Sequence, residues 1–239
     1  MAHPDELEAL TKAFSGHGIH EQSLISILGK WQPEEKKSFR KGSPHLFIED
    51  ERNFERWDDH CVRLLKHEFM RFKNAVVLWT THPWERDARL AKKALKKGPE
   101  SYGILIEIAC TRSADELLGA RRAYHSLFDH SIEEDVASHI NGSERKELDV
   151  DMRLKETVQC LCNPQKYFSK VLDTALTKDA DKKIKKALTR VIVTRADTDM
   201  KEIKEEYNSQ FGAPLSKKIE DTTNGNYKDF LLTLIARGG

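Results

Sequence analysis

Apolar residues recur every three or four positions along most of this chain, the period of an amphipathic helix. Leu7, Ala9, Leu10 and Phe14 share one face over 5–14, and Leu24, Ile25, Ile27 and Leu28 continue the pattern over 20–30. Ser15-Gly16-His17-Gly18 separates the two. From Phe54 to Leu78, Cys61, Leu64, Leu65, Phe69, Phe72, Val76 and Val77 keep the spacing and predict one long helix, ended by His82-Pro83. Glu85 to Lys97 is amphipathic and stops at Gly98-Pro99. Further helices are expected at 101–110, 114–124, 131–138, 152–161, 165–176, 181–194, 198–210, 214–220 and 226–236. The β-branched runs Val76-Val77 and Val191-Ile192-Val193 fall inside helical patterns, so no sheet is expected.

The pattern repeats. At an offset of 83, Thr111-Arg112 meets Thr194-Arg195, Tyr124 meets Tyr207, Phe128 meets Phe211, and Asn141-Gly142 meets Asn224-Gly225. An offset of 81 carries Leu24-Ile25-Ser26-Ile27 onto Leu105-Ile106-Glu107-Ile108. A short-helix unit therefore occurs three times, the signature of a repeat architecture.

Composition narrows the class. Lys+Arg number 40 and Asp+Glu 39, a net charge of +1, which excludes a dedicated nucleic-acid binder. No apolar run approaches the roughly 18 residues of a membrane span, and the N-terminus lacks a secretory pattern, so a cytoplasmic protein is expected. Cys160-Leu161-Cys162 has neither redox nor zinc spacing, and free thiols are expected. Gly29-Lys30 runs into Trp31 rather than completing a phosphate-binding loop, and no nucleophile or paired-carboxylate arrangement stands out. The chain reads as a non-enzyme.

Each unit, with its Thr-Arg turn and the marks Cys110-Thr111-Arg112-Ser113, Pro164-Gln165-Lys166-Tyr167-Phe168 and Asn224-Gly225-Asn226-Tyr227, resembles a repeat of the annexin family, plant annexins in particular. The resemblance spans essentially the whole chain. It implies an all-α, annexin-like array of five-helix repeats, here incomplete: repeats one, two and four. Repeat one covers 1–80. Repeat two covers 81–148 and lacks its last helix. Residues 149–163 are a remnant of repeat three, and repeat four covers 164–239. An open face left by the missing segment would favour self-association.

The same resemblance implies Ca²⁺ as cofactor and calcium-dependent, peripheral attachment to anionic phospholipid membranes, weakened by degraded loops. The alternative is a helical scaffold that no longer binds calcium. The loop Phe14-Ser15-Gly16-His17-Gly18-Ile19 is similar to the family's calcium loop, though Ser15 and Ile19 depart from its Lys and Thr. By analogy the carbonyls of Phe14, Gly16 and Gly18 would hold the ion, as suits a hard cation that prefers oxygen. Glu68 would close the site; its distance from the loop exceeds the family spacing, with the excess falling in Ser43 to Asp58. Lys97-Gly98-Pro99-Glu100 replaces the second loop, with His139 at the acidic position, and no calcium site is expected there. In the last repeat Thr177, Asp179, Asp181 and Asp221 form a weaker metal candidate. Cys110 and Cys160 resemble a cysteine pair of plant annexins and are a candidate redox pair.

Overall fold

The computed structural model describes residues 4–14, 21–62, 71–140 and 150–238. It is helical almost throughout: α1 (Pro4–Phe14), α2 (Glu21–Leu28), α3 (Pro33–Lys41), α4 (Arg71–Thr80), α5 (Pro83–Lys97), α6 (Gly103–Thr111), α7 (Ala114–Phe128), α8 (Ile132–Ile140), α9 (Val150–Cys162), α10 (Pro164–Ala175), α11 (Lys182–Arg195), α12 (Met200–Phe211), α13 (Leu215–Thr222) and α14 (Gly225–Ile235). Two four-residue strands, β1 (Phe47–Asp50) and β2 (Phe54–Trp57), pair into a small sheet.

The hairpin corrects the long helix expected from Phe54. Phe54 and Trp57 are three apart, which fits a helical face, yet both sit on a strand and both are buried. The turn between the strands ends at Asn53, with φ 63°, a left-handed conformation that Asn tolerates and that suits a three-residue hairpin loop. The hairpin falls within Ser43–Asp58, where the spacing from Gly18 to Glu68 is in excess. Helix α3 also escapes the apolar period, because Phe39 is its one large apolar residue. Its signals are local: Pro33 opens it, and the Gln32 backbone N–H donates to the Glu35 carboxylate at 2.6 Å.

The chain divides into two compact units. The first comprises Met1–Glu49, Trp57–Thr80 and Phe168–Gly239; the second comprises Asp50–Arg56 and Thr81–Tyr167. In the first unit Leu28, Phe39, Trp79, Phe168, Leu172, Val191, Ile192, Ile203 and Phe230 are all buried. Trp79 Nε1 donates to the Leu28 carbonyl at 2.9 Å. Two cations contact the same indole, Lys36 Nζ at 3.2 Å and the Arg237 guanidinium at 5.0 Å from a ring centroid. Asp197 accepts from both, at 2.6 Å from Lys36 and 2.7 Å from Arg237. Arg237 also donates to the Gly29 carbonyl at 2.6 Å. Gly29 itself has no room for a side chain, since a Cβ there would lie 2.2 Å from Thr233 Cγ2.

In the second unit the core is Phe54, Ala88, Ala91, Ile108, Ala123 and Tyr124, with Trp84 packed against it. Small residues let α5 and α7 approach closely: a Cβ on Gly119 would fall 2.0 Å from a Trp84 ring carbon. The hairpin tip is fixed on α7, where Ser126 donates its hydroxyl to Asp50 and Arg52 meets His125 Nδ1 at 3.1 Å. Burial pushes the Asp50 carboxyl up, but Ser126, the Arg52 backbone N–H and the nearby guanidinium groups outweigh it and hold the carboxyl below its ordinary range.

Helix α9 packs against α6 within this unit. Its opposite side is open: Leu154, Val158 and Leu161, at i, i+4 and i+7, are 60%, 50% and 60% exposed.

The repeat is visible inside each unit. Thr111 and Thr194 each donate a hydroxyl to the carbonyl four residues earlier, at 2.6 and 2.8 Å. Tyr124 and Tyr207 are both fully buried. Each ring packs at an angle against a following Phe, with centroids 4.9 and 4.8 Å apart, and each hydroxyl donates to a carboxylate, Asp135 at 2.6 Å and Asp173 at 2.9 Å.

Candidate functional site

Three helix-connecting loops hold the candidate ligands. The first joins α1 to α2. Phe14 is the last residue of α1. Gly16, Gly18 and Glu68 lie outside the described residues.

The second loop joins α5 to α6. Gly98, at φ 85°, ends α5, and a short 3₁₀ turn (Pro99–Ser101) follows. The Pro99 carbonyl accepts from the Arg153 guanidinium on α9 at 2.6 Å. A fixed cation thus occupies the carbonyl face on which a metal ion would depend. His139 is turned back along its own helix, with Nδ1 2.7 Å from the Asp135 carbonyl oxygen. This loop does not fit a calcium ion.

The last loop joins α10 to α11, and it meets the C-terminal end of α13 at one pocket of ≈ 190 Å³. Thr177 and Asp221 share its wall, as the sequence places them, together with Lys178, Lys185, Thr222 and Thr223. Asp179 and Asp181 are not on the wall. Asp181 caps α11 and accepts the Ile184 N–H at 2.8 Å. The Thr177 carbonyl accepts the Ala180 N–H at 3.2 Å, and Asp221 pairs with Lys217 at 3.2 Å. The Thr177 carbonyl and the Asp181 and Asp221 carboxylates thus have partners within the protein, and two ammonium groups stand on the wall.

The structure brings Cys110 and Cys160 together across the α6–α9 contact, within hydrogen-bonding reach of each other. Burial pushes the Cys110 thiol up, only partly offset by the Cys160 hydrogen bond, so Cys110 is protonated near neutral pH. All four cysteines are free thiols.

Two of these features escape a reading by residue type. Arg153 reveals itself only once α9 is placed on α6. Lys185 lies in the lysine-rich run 182–186, but it precedes the buried Leu188 by one turn and is half-buried, whereas Lys182 and Lys186 are exposed. That i, i+3 relation to Leu188 is the available signal.

Comparison with known proteins identifies the arrangement. The family model described as Annexin matches residues 86–148 and 165–234. Annexin D4 of Arabidopsis thaliana is 45% identical over 317 aligned positions, covering 99% of each chain. The chain belongs to the annexin family. Annexin Gh1 of Gossypium hirsutum is 32% identical, over 96% of this chain and 94% of that one. Among solved structures, annexin III superposes with a TM-score of 0.77 at 20% identity, covering 100% of this chain and 96% of that one, which shows the shared fold.

Members of this family bind calcium and phospholipid membranes and associate with membranes peripherally. Among the described residues no helix is long and apolar enough to cross a membrane. The alignment with Annexin D4 is 78 positions longer than this 239-residue annexin, so at least that many positions have no counterpart here. The family model's two matches are interrupted between 148 and 165, the stretch that contains α9.

Proposed function

We propose that this annexin attaches to the anionic phospholipid of cytoplasmic membrane faces through a calcium ion held at its first loop. The Phe14, Gly16 and Gly18 carbonyls and the Glu68 carboxylate would hold the ion. Calcium supplies a positive centre with an open coordination position that a lipid phosphate oxygen can fill. The chain's part is to present several oxygens to one ion and to leave the outward side open, which the glycines of Gly16-His17-Gly18 permit.

Family membership is the observation that carries this reading. The state of the other loops supports placing the site in the first one. The Pro99 carbonyl is committed to Arg153, the Thr177 carbonyl to Ala180 N–H, and Asp221 to Lys217. One bridge gives far less avidity than several, so attachment is weak. The exposed face of α9 supports self-association as a second contributor, because each copy in a pair would carry its own first loop.

Vesicle co-sedimentation near pH 7.5, with phosphatidylserine-rich and pure phosphatidylcholine vesicles in parallel, tests the proposal. Calcium should add binding to the anionic vesicles alone, a chelator should remove that increment, and Glu68→Gln should raise the calcium needed. An unchanged calcium dependence in Glu68→Gln would remove Glu68 from the site. No calcium increment at all would leave the chain a helical scaffold.

A further inference from the structure

We infer that the pocket between the α10–α11 loop and the end of α13 binds a phosphate group directly, without calcium, through Lys178 and Lys185. The sequence around it, Thr177-Lys178-Asp179-Ala180-Asp181, has lost its loop glycines. The structure shows what stands in their place. Both lysines lie on the wall of a concave site of ≈ 190 Å³. Asp221 is the one carboxylate on that wall, and it already pairs with Lys217 at 3.2 Å.

The other polar groups leave the charge balance unchanged. The Thr177, Thr222 and Thr223 hydroxyls donate to the Thr174, Lys218 and Ile219 carbonyls at 2.9, 2.7 and 2.6 Å. The Tyr227 hydroxyl shares a hydrogen bond with Thr189 at 2.8 Å. With Asp221 and Lys217 offsetting each other, the wall carries two positive charges. A divalent cation would be repelled there. A phosphate, which is anionic and rich in acceptors, would meet two ammonium donors. Where a calcium loop holds phosphate through a bound ion, this pocket offers covalently attached cations.

The phosphate could belong to a lipid headgroup or be free in solution, and the test separates these sources. It does not depend on the calcium reading, because every measurement is made with the full chain in excess chelator. Binding is measured to vesicles of phosphatidylcholine containing phosphatidic acid, whose phosphomonoester is exposed, and to inorganic phosphate by calorimetry. The wild type is compared with the double variant Lys178→Gln/Lys185→Gln. The control is Lys182→Gln/Lys186→Gln, which removes the same charge from exposed positions of the same helix.

A direct hydrogen bond to a charged group is worth about tenfold or more in affinity, so the pocket variant should lose about a hundredfold or more while the control, which loses screened surface charge alone, loses much less. Displacement from vesicles by inorganic phosphate would identify a soluble phosphate site. Persistent, lysine-dependent vesicle binding without such displacement would identify a headgroup site. Equal losses in the two variants would overturn the proposal in favour of general surface charge. Absence of chelator-resistant binding to either probe would overturn it as well, and would leave the Glu68-dependent calcium increment untouched.

Discussion

Replacing Leu154 and Leu161 by glutamate should abolish a weak, concentration-dependent self-association of this annexin. With Val158 these residues form the open side of α9, and Annexin D4 has at least 78 positions with no counterpart in this chain. A longer chain has sequence available to cover that side. Here a second copy of the same stripe is the complementary surface, since two such stripes can pair antiparallel about a two-fold axis. Fully burying one Leu or Val side chain is worth about 1.5–3 kcal/mol, and Leu154, Val158 and Leu161 are each about half exposed. The unrealised stabilisation is then about 2–4.5 kcal/mol per copy, or about 4–9 kcal/mol for a pair. Association itself costs about 4–15 kcal/mol. The difference is at most about 5 kcal/mol, so the dissociation constant is no tighter than about 0.2 mM. Sedimentation velocity over a wide concentration range should show the wild type shifting toward dimer while Leu154→Glu/Leu161→Glu stays monomeric at every concentration. A wild type that remains monomeric throughout, or a dimer indifferent to the two glutamates, refutes the reasoning.

Asp197→Ala removes the acceptor shared by the buried Lys36 and Arg237 side chains and should destabilise the first unit by about 3–5 kcal/mol in denaturant unfolding; a cost below about 1 kcal/mol would show those cations to be hydrated. Gly119→Ala should cost about 1–3 kcal/mol or more, because the new methyl would overlap the Trp84 ring. Asp135 is held below its ordinary range: burial raises it, but hydrogen bonds from Lys92 and Tyr124 outweigh burial. Its contribution is therefore present above about pH 4 and lost as pH falls through the lowered folded value, so Asp135→Asn should flatten the fall in stability on the acid side. Mild oxidant should join Cys110 to Cys160 within one chain, taking up two electrons and two protons, detected as a loss of two hydrogen atoms by mass spectrometry; a product dominated by intermolecular dimers would place the thiols apart.

The repeat was legible from the sequence because its marks are packing residues. Tyr124 and Tyr207, with Phe128 and Phe211, recur at one offset and occupy equivalent buried places. The hairpin was not legible. Its strands are four residues each, too short for alternation to declare itself, and the spacing of Phe54 and Trp57 mimics a helix. Helix α3 hid behind a nearly all-polar sequence and is marked only by its N-terminal residues. The last loop was legible in part. Residue types placed Thr177 and Asp221 together, but the use of Asp181 as a helix cap and the presence of Lys185 on the wall depend on how α11 is rotated. The candidate first site, at Gly16, Gly18 and Glu68, rests on the resemblance alone.

The tryptophans divide unequally between the two units, and this gives the protein a built-in spectroscopic label. Trp31, Trp57 and Trp79 belong to the first unit and are nearly inaccessible, whereas Trp84, packed over Gly119, is the second unit's own indole and is half-buried. The chain has four tryptophans in all, so substituting the other three by phenylalanine would leave an emission that reports the second unit by itself. Followed through a denaturation, that single fluorophore would reveal whether the two halves melt together or in sequence.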